Sequence, residues 1–114
     1  MWTIYHNPKC SKSRQTLQLL EENGVTPDTV LYLVNPPSTT ELGEILNKLG
    51  IPARKLLRKG EAEYKELNLA DESLSEAELV TAMCEHPRLI ERPIVVKGDR
   101  AVLGRPPENV LDLI

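Results

Sequence analysis

Two short runs rich in β-branched and aromatic residues, WTIYH at 2–6 and DTVLYLV at 28–34, are separated by a single helical segment. Strands joined through a helix lie parallel in one sheet, because a tight turn can connect only antiparallel neighbours. This opening strand–helix–strand unit constrains the fold more than any other feature of the chain. The segment SKSRQTLQLLEENG between the runs puts Leu17, Leu20 and Thr16 on one helical face, and Gly24 supplies the stop. The pair Pro36–Pro37 closes the second strand. Near the other end, PIVVKGDRAVLG reads as a hairpin turning at Gly98–Asp99, and RPPENVLDLI as a helix entered through prolines. A hairpin adds antiparallel strands to the parallel pair, so the sheet is mixed.

The intervening stretch reads as helical. Ser38 with Glu41 is a capping box opening a helix that turns Leu42, Ile45, Leu46 and Leu49 inward. Residues 51–74 break into short helical pieces at Gly60 and near Asn68. Ser75 with Glu78 caps a further helix that Pro87 ends. The order is therefore strand, helix, strand, several helices, hairpin, helix, an α/β arrangement with helices on the faces of one sheet. The expected organisation is a single domain, 1–114.

Composition matters here for what it excludes. A net charge of −3 gives no basic surface for general nucleic-acid or membrane binding. No apolar run reaches the ~20 residues that span a bilayer, and MWTIYHNPK lacks the features of a secretory signal. Two cysteines, Cys10 and Cys84, are too few for a disulfide framework and lack metal-ligand spacing. A reducing, cytoplasmic setting is expected, with no bound cofactor and no metal.

Cys10 falls where the first strand hands over to the first helix, ringed by His6, Lys9, Ser11, Lys12, Ser13 and Arg14. The first amides of a helix have no internal partner and carry the positive end of its dipole, so a thiolate there is stabilised and reactive. The same amides, with the hydroxyls of Ser11 and Ser13, suit an oxyanion beside the sulfur. Arg14, one turn on, is placed to clamp that oxyanion, and His6 to approach the thiolate as an imidazolium. Cys84 shares a helical face with Val80 near Met83 and is expected to be an inert buried thiol. His86, before Pro87 at a helix end, suits compensation of the helix dipole.

The pattern H-N-P-x-C-x-x-S-R-x-T-L at 6–17, with ERPIV at 91–95, GRPPE at 104–108 and LLRKGEAEYKELNL at 56–69, resembles the glutaredoxin-linked arsenate reductase family. The resemblance runs along nearly the whole chain. It implies a thioredoxin-like (glutaredoxin-like) fold, a mixed four-stranded sheet flanked by helices with a helical insertion. It also implies Cys10 as nucleophile, Arg58, Arg92 and Arg105 as oxyanion-binding arginines, and Pro93 as the cis-proline beside the cysteine. The implied chemistry is attack of the Cys10 thiolate on arsenate to give a thioester adduct. Glutathione, as co-substrate, then displaces the reduced arsenic, and glutaredoxin resolves the mixed disulfide. Arginine suits such a dianion because its planar fork of donors never loses its charge. The chain departs from well-studied members at Ser11 and Lys12, where they carry Gly and Thr. Alternative readings are a glutathione-dependent thiol oxidoreductase for another substrate, or a non-catalytic regulator that binds RNA polymerase. Ser13 stands where such regulators carry the second cysteine of a C-x-x-C switch.

Overall fold

The computed structural model describes all 114 residues, Met1–Ile114, and the chain divides into two compact units. The first comprises Met1–Asn35 and Arg92–Ile114, and the second Pro36–Glu91.

The first unit is a four-stranded sheet in the order β2-β1-β3-β4. Strand β1 (Trp2–Tyr5) leads through helix α1 (Ser11–Glu22) to β2 (Asp28–Val30), which pairs parallel to β1. Strands β3 (Ile94–Lys97) and β4 (Arg100–Leu103) form the hairpin, and β3 lies antiparallel against β1 with Tyr5 opposite Ile94. This is the mixed, thioredoxin-like sheet expected.

Strand β2 is shorter than the apolar run 28–34 suggests. β1 ends at Tyr5, and the last ladder bond runs from the His6 amide to the Val30 carbonyl at 2.9 Å. Beyond that point no neighbouring strand remains to pair with, and 31–35 close a turn with Val34 and Asn35 amides on the Leu31 carbonyl.

Helix α1 lays Leu20 against Ile4 of β1 and Val95 of β3, with Val110 and Leu113 completing a fully buried cluster. Val110 and Leu113 belong to a C-terminal 3₁₀ helix, η2 (Pro107–Leu113), where an α-helix would be the ordinary expectation. Its winding explains its burial, because Pro107, Val110 and Leu113 are spaced by three, the repeat of a 3₁₀ turn. Truncating Leu20 to alanine in such a site costs about 2–5 kcal/mol.

The second unit is helical. It contains α2 (Thr39–Leu49), α3 (Ala53–Leu56), α4 (Ala62–Glu66), α5 (Glu76–Glu85) and a 3₁₀ turn, η1 (Pro87–Leu89). Ser38 accepts the Glu41 amide at the start of α2, and Ser75 with Glu78 forms both bonds of a capping box on α5. Leu42, Ile45 and Leu46 are buried as expected, whereas Leu49 is only half-buried. The break near Asn68 is a left-handed residue, φ 53°, which asparagine tolerates better than most. No helix of the chain is long and apolar enough to cross a membrane.

Candidate active site

The turn between β1 and α1 is built by short-range polar bonds. The Asn7 carbonyl receives the Cys10 amide at 3.0 Å, and Asn7 Oδ1 receives the Lys9 amide at 3.0 Å. Arg14 reaches back from the first turn of α1 to donate through Nη1 to the Pro8 carbonyl at 2.9 Å. Cys10 is the N-cap of α1, with extended backbone (φ −96°, ψ 123°) and a half-buried side chain that makes no capping bond. The sulfur thus stands at the amide end of the helix without being spent on it. No acidic residue occupies the first turn of α1, so nothing there offsets the positive end of the dipole.

Ser13, expected to help hold an oxyanion, is instead fully buried. Its Oγ lies 2.6 Å from His6 Nδ1 and accepts the Asn7 amide at 3.0 Å. His6 is buried as well, and burial first, then the nearby Arg14 cation, pushes its pKa below the ordinary histidine value. The imidazolium expected beside Cys10 is therefore corrected: His6 is a neutral ring inside the unit. Desolvation and a neighbouring guanidinium both disfavour its charged form. Around the start of α1, positive charge comes from the helix amides and from Lys9, Lys12 and Arg14, not from His6.

The hairpin brings the arginines to the same edge. Ile94 pairs with Leu103, and the pattern continues one step further, with the Gly104 amide donating to the Pro93 carbonyl at 2.9 Å. Arg92 and Arg105 follow as the next opposed positions, and Arg105 Nη1 approaches the Arg92 carbonyl at 3.4 Å. Because Tyr5 pairs with Ile94, this end of the hairpin adjoins the end of β1 from which His6 and the Cys10 turn depart. Both arginines precede cis peptide bonds, Arg92–Pro93 and Arg105–Pro106. The first matches the cis-proline that the resemblance implies at Pro93; the second was not foreseen.

Arg58 stands in the second unit. Its amide donates to the Leu89 carbonyl at 2.8 Å, next to an antiparallel bridge between Leu57 and Ile90. Its guanidinium meets Glu61 at 3.0 Å and Glu91 at 3.5 Å, while Arg88 shares Glu61 at 3.2 Å. Cys84 is half-buried, less than expected, yet burial and the Glu41 and Glu85 carboxylates push its thiol pKa up, away from reactivity. His86 caps the C-terminal end of α5 through its amide on the Ala82 carbonyl at 2.8 Å. No three His, Cys, Asp or Glu side chains are grouped as a metal site requires.

Two residues around the site were not singled out from the sequence as site-building groups. Asn109 Nδ2 donates to the Leu103 and Arg105 carbonyls, both at 3.1 Å, holding the end of β4. Gly104, buried beside Arg105, packs directly on α1. The glycine ahead of an arginine and two prolines was the available signal.

Known proteins resemble the chain along nearly its whole length. The ArsC family model matches residues 5–113. An uncharacterized protein of Escherichia coli is 57% identical over 112 residues, covering 97% of this chain and 94% of the relative. A protein of Haemophilus influenzae named arsenate reductase is 54% identical over 112 residues, covering 97% of each chain. The solved structure of an arsenate reductase from Vibrio cholerae superposes with a TM-score of 0.97 at 53% identity, over 99% of this chain and 97% of that one.

Proposed function

This chain belongs to the ArsC family, and from that premise we propose that it reduces arsenate with glutathione and glutaredoxin, using Cys10 as the nucleophile. The observation that supports this reading most is the meeting of three features at one sheet edge. These are a cysteine capping the amide end of α1, a first turn free of acid, and Arg92 opposite Arg105.

In the proposed reaction the Cys10 thiolate attacks arsenic, an S–As bond forms, and an arsenate oxygen leaves as water after protonation. Guanidinium groups and helix amides offset the repulsion between the thiolate and a dianion. A glutathione thiolate then attacks Cys10 Sγ. The new S–S bond forms as the S–As electron pair passes to arsenic, which departs as arsenite. A glutaredoxin thiolate attacks the glutathione sulfur of the mixed disulfide, so that a glutaredoxin–glutathione disulfide forms as Cys10 leaves as thiolate. Arg58 enters the proposal on the resemblance of segment 56–69 alone.

The test is arsenate-dependent NADPH oxidation in the presence of glutathione, glutaredoxin and glutathione reductase, with arsenite measured as product. Turnover that is lost in Cys10→Ser is expected. Wild-type protein that yields no arsenite above the coupling enzymes alone would overturn the assignment.

A further inference from the structure

Helix α1 buries Ser13, Thr16 and Leu20, and the first two are polar. Ser13 is accounted for by His6. Thr16 is fully buried and its Oγ1 faces two carbonyls, Lys12 in the first turn of α1 at 2.8 Å and Gly104 at 3.2 Å. The second bond joins the helix that carries Cys10 to the residue that immediately precedes Arg105. Gly104 is tied at its other face as well, since its amide donates to the Pro93 carbonyl at 2.9 Å.

The approach depends on the missing side chain. A Cβ on Gly104 would fall 2.5 Å from Thr16 Oγ1 and 2.8 Å from both Thr16 Cγ2 and Pro93 Cγ. Neither neighbour yields easily: a β-branched side chain inside a helix is held to its rotamer, and a proline ring can only repucker. Any side chain at 104 must therefore push the end of β4 off the helix, and Arg105 goes with it.

We propose that Thr16 and Gly104 form a latch that sets the distance between Arg105 and the Cys10 end of α1, making both of them positioning residues for oxyanion binding. The latch rests on the reading of Arg105 as an anion-binding group given above. Its logic is that of any site in which two charged partners come from separate elements. A displacement on the order of 1 Å at a bridging contact can cost a hundredfold in function even where neither partner is altered.

The experiment measures protection of Cys10 against iodoacetamide by sulfate, a tetrahedral dianion that does not react, in a Cys84→Ala background. Gly104→Ala is expected to alkylate without sulfate at close to the parental rate, while the sulfate concentration giving half-protection rises at least tenfold. Thr16→Ala added to Gly104→Ala removes both Thr16 collisions and should recover part of that loss. Thr16→Val keeps the shape and deletes the hydroxyl, so it should weaken protection by a few-fold. It also carries the test if Gly104→Ala does not fold. Unchanged protection in folded Gly104→Ala, or in Thr16→Val should that variant stand alone, overturns the latch. A double variant worse than the single one overturns it too. A parent protein that sulfate, phosphate and arsenate all fail to protect would instead overturn the anion-site reading, and the latch with it. Protection without arsenate turnover would leave the latch standing and remove only the arsenate assignment.

Discussion

The hydroxyl of Ser13 lies 2.6 Å from His6 Nδ1 while accepting the Asn7 amide at 3.0 Å. An amide can only donate, so Oγ is the acceptor in that bond and its own proton is free for the imidazole. A hydroxyl oxygen also keeps a second lone pair, so Ser13 Oγ can partner Nδ1 in either neutral tautomer of the ring. The bonds tie the end of β1, the turn and the first helical turn of α1 together through a largely buried polar cluster.

Ser13→Ala should therefore destabilise the protein by about 1–3 kcal/mol, the usual effect of leaving buried polar groups without a partner. Urea denaturation measures it. A loss below a few tenths would mean that the Asn7 amide and His6 find other partners at no cost.

The pH dependence of stability has a definite sign. His6 is held neutral in the fold by burial and by Arg14, so its folded pKa lies below its unfolded value near 6.5. Its contribution is fully present above that unfolded value. As pH drops further the unfolded chain takes up a proton that the folded chain resists, and stability falls until the folded pKa is reached. Between pH 7.5 and 5 the urea midpoint of the wild type should decline more steeply than that of His6→Asn. Parallel curves would remove His6 as the source.

The cysteines should separate cleanly. Cys10→Ser is expected to abolish arsenate turnover, and Cys84→Ser to stay within about twofold of wild type, as ordinary for a site outside the chemistry. Burial, Glu41 and Glu85 all disfavour the Cys84 thiolate, so at neutral pH Cys10 should be alkylated well before it. Mass spectrometry of a partly labelled sample reads the order. Loss of turnover in folded Cys84→Ser would make it a resolving thiol.

For the arginines, Arg92→Ala and Arg105→Ala are each expected to lower arsenate reduction on the order of a hundredfold or more. Lysine should restore only part, having charge without the planar fork. Steady-state kinetics of the four variants, with thermal melts to establish folding, decide it. Wild-type rates in both alanine variants would reduce these residues to surface charges.

Much of this was legible in the sequence, and what was missed has identifiable causes. Strand and helix order follows from periodicity, and the position of Cys10 follows from order alone. The length of β2 did not, because a strand ends where its partner ends, and Tyr5 is the last pairing residue of β1. The charge state of His6 depends on burial, which a sequence window does not report. The carboxylates around Arg58 include Glu91, far along the chain, so only the folded second unit brings them together. Conversely, the opposition of Arg92 and Arg105 was readable. A two-residue turn at Gly98–Asp99 pairs Lys97 with Arg100, and stepping outward along both strands arrives at the two arginines.

That turn sits at the far end of the hairpin from the arginines, roughly 17 Å away for five residues of extended chain. Gly98 holds φ at +60°, the backbone that lets a two-residue loop reverse the chain with the strands in register. The hairpin behaves as a gauge, in which the number of residues at one end determines which side chains meet at the other. A slip of one residue would turn the inward positions of β4 outward and carry Arg105 away from Arg92. A remote, solvent-exposed loop is thereby a place where most substitutions are harmless and a single insertion or deletion is not.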